Sequence, residues 1–464
     1  MHKNKIQSEI AVLGGGPAGY VAAIRASQLG AKVVLIEEKE LGGVCMNIGC
    51  IPTKSLLKTS EILTTIKKSK EFGVQSKTEK LSWSTAVVRK DRIVKNLGIG
   101  IEQLMVANNV STIKGRGLVV NPNKLMVKKE NEEIEINCNK LIIATGSEPL
   151  IPSFIKGIKN DGVITSTDAL SLQEPPESIV IIGGGVIGVE FATMFSSLGT
   201  KVTVIEAQDR IISHEDDEIS TELLKILKRK GIKFKLSSKL TEIIENDEGL
   251  IVSYELNGKS SYTTCEKVIL AVGRQLNSGI ASSISPKTEN GRIVVDEYMQ
   301  TSVPNVYAAG DVIGGKLLAH LAFMEGRVAA ENAVGMQSKV NYNAVPSCIY
   351  TSPESASVGL TEREAIEKGI KPKIGSFAMR HNGRSLTLGE REGFVKIIAD
   401  ENGVIIGGQI LGANASEMIS QITLAITVGA TAEIISDMIH PHPSISEAIW
   451  EACGEIAKKS IHKV

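Results

Sequence analysis

The chain has 464 residues, of which 42% are hydrophobic and 22% charged, and its 52 basic and 52 acidic side chains cancel to a formal net charge of zero. This length predicts about three domains, and the composition is typical of a globular α/β protein rather than a disordered or fibrous one. The absence of net charge argues against nucleic acid and anionic membranes as partners, and the sequence has neither a membrane-spanning apolar run nor a secretory signal. Because only 6 cysteines occur, we expect a reducing, cytoplasmic compartment.

The first predicted elements recur later in the chain. Residues 10–37 read IAVLGGGPAGYVAAIRASQLGAKVVLIE, and residues 179–206 read IVIIGGGVIGVEFATMFSSLGTKVTVIE. Each segment predicts a buried strand, a glycine turn, a helix and a second buried strand that ends in a glutamate. The chain is therefore expected to contain two separate βαβ nucleotide-binding units.

Both glycine turns have the pattern Gly-x-Gly-x-x-Gly. Their glycines are Gly14, Gly16 and Gly19 in the first unit and Gly183, Gly185 and Gly188 in the second. In order, these glycines permit a tight turn, close approach of a pyrophosphate, and close packing of the helix on the strand. Glu37 and Glu206 end the second strands, where a carboxylate accepts hydrogen bonds from a ribose. A carboxylate repels a 2′-phosphate, so Glu206 favours NAD over NADP unless it is merely a solvated strand end.

Two cysteines follow the first unit. Cys45 and Cys50 lie in GGVCMNIGCIPTK, before a helix that we predict from about Thr53. They can close a short disulfide loop, and the helix N-terminus and Lys54 would lower the pKa of a thiolate there. A zinc site would need two more ligands, and no second Cys/His pair in the sequence has metal-like spacing. Two inert buried thiols are the remaining alternative.

The rest of the chain predicts further strands and a last domain. Residues 140–146 (KLIIATG), 267–273 (KVILAVG) and 303–311 (VPNVYAAGD) read as strands that return the chain to its sheets, and a helix is predicted over 318–333. Strands over 394–399 and 404–411 and helices over 415–428 and 431–438 predict a separate α+β domain.

The sequence HPHPSISE near the C-terminus offers an acid–base pair. A histidine side chain is suited to proton transfer near neutral pH, and Glu447 could hold one ring nitrogen of His442 and raise its basicity. Taken alone, the segment is more often a surface turn. It gains meaning beside a redox disulfide.

With these motifs, and with Ala-Ala-Gly-Asp over 308–311, the sequence resembles the pyridine nucleotide-disulfide oxidoreductases over essentially its whole length. Within that family it is most similar to the dihydrolipoamide dehydrogenases, the E3 components of 2-oxoacid dehydrogenase complexes. The resemblance implies an α/β fold with two Rossmann-like nucleotide-binding domains, for FAD and NAD, plus a C-terminal α+β dimerisation domain. The expected boundaries are 1–149 for the FAD domain, 150–276 for the NAD domain, 277–346 for a central segment completing the FAD domain, and 347–464 for the dimer interface.

The resemblance also implies site residues. Around FAD it places Gly14, Gly16, Gly19, Glu37, Lys54, Gly117, Thr145, Gly146, Ser147, Asp311, Leu317, Leu318, Ala319 and His320. Around NAD it places Gly183, Gly185, Gly188, Glu190, Glu206, Leu240 and Gly273. As catalytic residues it implies Cys45, Cys50, His442 and Glu447, together with an ion pair between Lys54 and Glu190 near the flavin.

The implied activity is reoxidation of protein-bound dihydrolipoamide to lipoamide through the Cys45/Cys50 disulfide and FAD, with reduction of NAD⁺ to NADH. His442 and Glu447 of one subunit would serve the cysteines of the other, so the expected assembly is a homodimer. The expected partner is a lipoylated E2 or H-protein, and no metal, nucleic acid or membrane is expected.

Some residues depart from the family pattern. Pro441 stands where the family usually has alanine, and Phe323 and Met324 stand where many members have polar residues. Glutathione reductases share the disulfide but bind the 2′-phosphate of NADP. Glu206 argues against this family branch, because its carboxylate would repel that phosphate. The competing hypothesis of another class is a nucleotide-binding subunit without turnover, which would need neither the cysteine pair nor His442.

Overall fold

The computed structural model describes residues 4–77, 81–129 and 132–463. Its first unit contains β1 (Asn4–Leu13), α1 (Pro17–Gln28), β2 (Val33–Glu37), α2 (Gly43–Ile48), α3 (Cys50–Lys68), α4 (Trp83–Ala107), β3 (Ser111–Lys114), β4 (Arg116–Asn121), β5 (Lys124–Lys128), β6 (Glu133–Ile143) and β7 (Ser147–Pro149). The sheet has the order β3-β2-β1-β6-β5-β4. β1 lies parallel to both β2 and β6, and its apolar end is buried on both faces, as expected for a central parallel strand.

The second unit repeats the arrangement of the first. Its elements are β8 (Val163–Thr165), α5 (Ser166–Ala169), β9 (Ser178–Ile182), α6 (Val186–Leu198), β10 (Lys201–Ile205), α7 (Asp217–Arg229), β11 (Lys233–Lys235), β12 (Ser238–Asn246), β13 (Gly249–Leu256), β14 (Lys259–Cys265), β15 (Lys267–Leu270) and β16 (Arg274–Leu276). A parallel sheet has the order β11-β10-β9-β15-β8, and an antiparallel sheet has the order β12-β13-β14. Both glycine turns therefore lie at the carboxyl end of a parallel strand, where α/β folds bind ligands.

After the second unit the chain returns to the first sheet. It passes through a 3-10 helix (Ser278–Ile284) and then β17 (Thr288–Glu289), β18 (Arg292–Ile293), β19 (Val306–Ala308) and α8 (Ala319–Ala333). β19 pairs in parallel with β6, and α8 packs on α1 so closely that a Cβ on Gly326 would lie 2.1 Å from the Ala18 carbonyl oxygen. Glycine at this position thus brings α8 against the helix that follows the first glycine turn.

The last unit is an antiparallel sheet covered by helices. It contains β20 (Ser347–Ile349), β21 (Glu354–Gly359), α9 (Glu362–Glu367), β22 (Lys373–Ala378), α10 (Gly383–Thr387), β23 (Phe394–Ala399), β24 (Ile405–Gly412), α11 (Ala415–Val428), α12 (Ala432–Asp437) and α13 (Glu447–Ala457). The strand order is β20-β21-β24-β23-β22. α11 and α13 pack on this sheet around a core of its own. The predicted strands and helices of this α+β domain are present within a few residues.

Several predicted elements have different bounds, and the strand expected over 267–273 ends as β15 at Leu270. The helix expected from about Thr53 begins at Cys50, because Pro52 lies in its first turn, where a missing N–H costs no hydrogen bond. The strand expected over 140–146 runs as β6 from Glu133 to Ile143, since it pairs with β1 from Ile134 to Ile143 and its first half also pairs with β5. The strand expected over 303–311 is limited to Val306–Ala308, after Pro304.

No helix in the described part of the chain is both long enough and apolar enough to cross a bilayer.

Candidate active site

The two glycine turns have the same geometry. Gly14 and Gly183 have φ values of 104° and 109°, and a Cβ on either would lie 2.3 Å from the carbonyl oxygen of Ala144 or Ala271. These positions therefore require glycine. No side chain among the described residues caps α1 or α6, so the N–H groups at both helix N-termini are available to a phosphate.

The glutamates that end the two strands bind the turns in the same way. Glu37 accepts hydrogen bonds from the Gly15 and Lys39 backbone N–H groups at 2.6 and 2.7 Å. Glu206 accepts the equivalent bonds from Gly184 and Gln208 at 2.5 and 2.7 Å. Each carboxylate is thus held beside its turn, at the position where the Rossmann fold meets a ribose.

The third glycines close the two units. A Cβ on Gly19 would lie 1.8 Å from the Gly14 carbonyl oxygen, and one on Gly188 would lie 1.9 Å from that of Gly183. The second glycines differ from these, because a Cβ on Gly16 or Gly185 would meet no described atom closer than 3.8 Å. The second glycines therefore leave open space over the turn, as a bound pyrophosphate requires.

Cys45 and Cys50 lie at the junction of α2 and α3. Both are free, partly buried thiols in this structure, and a hydrogen bond joins their side chains. That bond lowers the pKa of Cys50 to about 7, with the Lys54 ammonium acting in the same direction and burial opposing it. The bond and burial raise the pKa of Cys45 above its usual range. The pair therefore has one sulfur suited to be a thiolate near neutral pH and one suited to stay protonated.

Lys54 and Glu190 form an ion pair across the first two units. The Lys54 Nζ lies 2.9 Å from both carboxylate oxygens of Glu190. The Glu190 side chain is only 5% exposed, so the ion pair shields a buried charge from the apolar surroundings. Lys54 is one turn after Cys50 in α3, and the ion pair therefore lies beside the cysteines.

The other predicted flavin residues form a polar network where β6, β16 and β19 end. Ser147 donates a hydrogen bond to Asp311 at 2.5 Å and accepts one from Arg274 at 2.7 Å. The Thr145 hydroxyl donates a hydrogen bond to the backbone carbonyl oxygen of Asn277, and the Asn277 side-chain amide donates one to that of Thr145, both at 3.0 Å. The network holds the Asp311 carboxylate next to the backbone at Gly146, which has a positive φ.

Further predicted flavin positions line the start of α8 and the first sheet. Gly117 lies in β4, where a Cβ would be 2.4 Å from Leu13. Leu317 and Leu318 precede α8, Ala319 begins it, and the His320 ring nitrogen Nε2 lies 2.6 Å from the Pro346 carbonyl oxygen. His320 therefore links the start of α8 to the beginning of the last unit.

Two predicted NAD residues, Leu240 and Gly273, are not part of the hydrogen bonds between Glu206 and the second glycine turn. Leu240 is 8% exposed and packs in the core between the two sheets of the second unit. Gly273 has a φ of 123° at the turn between β15 and β16. The structure thus gives Leu240 a packing role.

The side chains of His442 and Glu447 form a hydrogen bond, as the acid–base hypothesis requires. The His442 Nδ1 lies 2.8 Å from Glu447, which also accepts a hydrogen bond from the Ser444 N–H at 2.7 Å. Burial raises the pKa of Glu447, but the bonds from His442 and Ser444 outweigh it and leave that pKa below its usual range. The His442 side chain is 81% exposed, and among the described residues it has no hydrogen bond to either cysteine.

Sequence reasoning missed three residues that touch this site. Arg274 binds Ser147, Glu325 accepts a hydrogen bond from the Gly310 N–H at 2.9 Å, and Tyr350 contacts the Lys54–Glu190 ion pair. Arg274 directly follows the KVILAVG strand and could have been found there. Glu325 and Tyr350 carry no local signal, since only the folded chain brings them to the site.

Comparison with known families agrees with this geometry. Residues 8–326 match the model of the pyridine nucleotide-disulphide oxidoreductases, and residues 345–453 match the dimerisation domain of the same proteins. The chain belongs to this family. Its cofactors are FAD and NAD, and the two glycine turns fit the pyrophosphates and riboses of both, because their helix N-termini are uncapped and a glutamate is held beside each turn.

Relatives and solved structures extend the comparison. Dihydrolipoyl dehydrogenases of Geobacillus stearothermophilus and Bacillus subtilis are 40% and 41% identical to the chain, and each alignment covers 98% of it and at least 98% of the relative. The HOCl-induced flavoprotein disulfide reductase RclA of Escherichia coli, solved as a Cu(II) complex, has a TM-score of 0.87 at 27% identity, covering 98% of this chain and all of its own. LpdA of Mycobacterium tuberculosis has a TM-score of 0.89 at 25% identity, covering 97% and 99%.

Proposed function

We propose that this chain is a dihydrolipoyl dehydrogenase, which oxidises protein-bound dihydrolipoamide to lipoamide and reduces NAD⁺ to NADH, as the E3 component of a 2-oxoacid dehydrogenase or related complex. The observation that carries this proposal is the contact between Cys45 and Cys50 beside the buried Lys54–Glu190 ion pair, in a chain with two nucleotide turns. Relatives with this name at 40% and 41% identity over nearly the whole chain support the substrate.

The proposed sulfur chemistry balances as two thiol–disulfide exchanges. A thiolate of dihydrolipoamide attacks the Cys45 sulfur of the oxidised pair, and the Cys45–Cys50 bond breaks to release Cys50 as a thiolate. The second thiol of the substrate then displaces Cys45, which leaves lipoamide as a disulfide and both cysteines reduced. The lowered pKa of Cys50 makes it the better leaving group. FAD, when bound, supplies the two-electron exchange between a dithiol and NAD⁺ that no side chain provides.

His442 is the proposed base that takes the proton from the substrate thiol. Its Nδ1 faces Glu447, so its Nε2 is left to accept that proton. Because the side chain is 81% exposed in the single chain, we propose that it serves the cysteines of a partner subunit in a homodimer. Large apolar side chains in α11 and α12 and just after them support such an interface, since they are between 43% and 96% exposed: Leu424, Val428, Ile434, Met438 and Ile439.

We also propose domain boundaries, cofactor sites, a partner and a compartment for this chain. The domains divide at 1–149, 150–276, 277–346 and 347–464, and the FAD and NAD sites are formed by the residues assigned above. The partner is a lipoylated E2 or H-protein, and the compartment is cytoplasmic.

The substrate is tested by turnover of the purified, FAD-loaded protein. We expect reduction of lipoamide with NADH, and only slow turnover of glutathione disulfide with NADPH, because Glu206 disfavours the 2′-phosphate. Co-purification of lipoyl-bearing proteins from cells would support the partner. A protein that prefers NADPH and glutathione disulfide would overturn the proposal.

The shared active site is tested with hybrid dimers. Cys50→Ser and His442→Gln are each expected to be inactive as homodimers, because every site then lacks one group. In a random mixture of the two subunits, hybrids keep one intact site, so about a quarter of the wild-type activity should return. A mixture that stays inactive while hybrids form would contradict a site built from both chains.

A further inference from the structure

The Lys54–Glu190 ion pair has a third partner from the last unit. Tyr350 directly follows β20, and its backbone N–H donates a hydrogen bond to Glu190 at 3.0 Å. The Lys54 Nζ lies over the Tyr350 ring, 4.6 Å from its centroid. One residue therefore contacts the carboxylate through its backbone and the ammonium through its side chain.

The two contacts act on groups that are poorly hydrated. The Glu190 side chain is 5% exposed and that of Lys54 is 31% exposed, so water screens neither contact fully. A cation over an aromatic face gains more when it is partly desolvated. The Tyr350 ring therefore limits the positions that the flexible lysine side chain can adopt.

Tyr350 is itself anchored on the last unit. Its side chain is half-buried and lies near Ser416. Ser416 in turn bonds Glu354 through its backbone N–H at 3.0 Å and its hydroxyl at 2.8 Å. Because Glu354 begins β21 and Ser416 lies in α11, the ring orientation is set by the sheet and helix of the last unit.

The ion pair acts in turn on Cys50. Lys54 and Glu190 shift the pKa of the Cys50 thiol in opposite directions, so their net effect depends on where each charge lies. Cys45 faces Cys50 from α2, Lys54 from α3 and Glu190 from α6. Cys348, near Lys54, has a pKa raised to about 11 by burial and stays protonated near neutral pH.

We propose that Tyr350 is a positioning residue for the redox pair, which holds the Lys54 ammonium and the Glu190 carboxylate in fixed places beside Cys50 and so links the last unit to the sulfur chemistry. The proposal rests on the proposed function for its biological role. The geometry on which it stands is independent of the substrate.

The experiment measures the ionisation of Cys50 without turnover. In FAD-loaded Cys45→Ser protein, Cys50 is the cysteine that remains of the pair, and its rate of alkylation by iodoacetamide is followed against pH by mass spectrometry. Tyr350→Leu removes the aromatic face but keeps the backbone N–H. We expect the midpoint to rise by roughly half a pH unit, whereas Tyr350→Phe, which keeps the face, should leave it within about 0.1–0.2 unit.

Controls separate a positioning role from a structural one. Tyr262 is 69% exposed in β14, and Tyr262→Leu should not move the midpoint. Tyr350→Met gives a second apolar side chain if the leucine variant does not fold, and it should move the midpoint in the same direction. Equal midpoints for the leucine, methionine and phenylalanine variants and the wild-type background would overturn the proposal. Failure of wild-type protein to turn over lipoamide would instead overturn only the proposed function.

Discussion

Lys396 tests whether a buried ion pair joins the second and last units. Its side chain in β23 is 3% exposed, and its Nζ lies 3.3 Å from Asp216, 3.3 Å from Glu218 and 2.7 Å from Glu362. Burial disfavours the ammonium, but the three carboxylates outweigh it and keep the pKa of Lys396 above its usual range. The lysine is therefore charged, and we change it to methionine.

The expected loss follows from the exposure of the three partners. Glu218 and Glu362 have side chains 64% and 39% exposed, so both can be rehydrated when the lysine is lost. Asp216 is 4% exposed and would be left as an unpaired buried charge. Breaking a buried ion pair in this way costs about 3 kcal/mol. At about 2 °C per kcal/mol, Lys396→Met should lower Tm by about 6 °C.

The assay is urea unfolding and thermal unfolding of FAD-loaded protein, with two matched variants. Lys287→Met removes an exposed ion pair with Glu289 and should cost far less stability than Lys396→Met. Asp216 also caps α7 by accepting a hydrogen bond from the Glu218 N–H, and asparagine keeps that cap. The double variant Lys396→Met/Asp216→Asn should therefore recover most of the loss. If Lys396→Met is no less stable than Lys287→Met, or the double variant recovers nothing, the reasoning is refuted.

Two further predictions concern the cofactor sites. Glu206→Ala should raise KM for NADH about tenfold and weaken the preference for NADH over NADPH, because the ribose loses its acceptor; an unchanged ratio of kcat/KM for the two nucleotides would contradict this. Burial raises the pKa of Glu325 to about 7; nearby Asp311 adds to this rise, and the hydrogen bonds from Gly310 and Tyr342 oppose it. A carboxyl with a raised pKa stabilises the fold fully below the unfolded value and loses that contribution as pH rises through the folded value. Glu325→Gln should therefore be as stable as wild type at about pH 4 and more stable by roughly 2 kcal/mol at about pH 8, and equal pH slopes in urea unfolding would contradict this.

Much of the site is predictable from sequence because its signals are local. Each glycine turn and the glutamate beside it lie within one βαβ unit, so spacing alone places Glu37 and Glu206 at the ends of the strands next to their turns. The cysteine pair is likewise local. The position of Cys50 as the first residue of α3 was missed, because a proline in the first helical turn resembles a break.

The remaining contacts join residues that are distant in the chain. Lys54 meets Glu190 and Tyr350 only when three units pack together, and no periodicity marks such a meeting. The family resemblance supplied Glu190 but not Tyr350. The family resemblance alone assigned Leu240 to the NAD site, and that assignment stays a prediction; alternation along β12 directs the Leu240 side chain to the core.

The most direct test of the account is to count the thiols that appear when electrons enter. FAD-loaded, oxidised protein is treated anaerobically with dihydrolipoamide, and thiols before and after treatment are alkylated with light and heavy iodoacetamide and located by mass spectrometry. We predict that Cys45 and Cys50 change from protected to alkylated, while buried Cys138 does not change its label. If no new thiol appears at Cys45 and Cys50 while NADH is formed with NAD⁺ present, electrons do not pass through the cysteine pair.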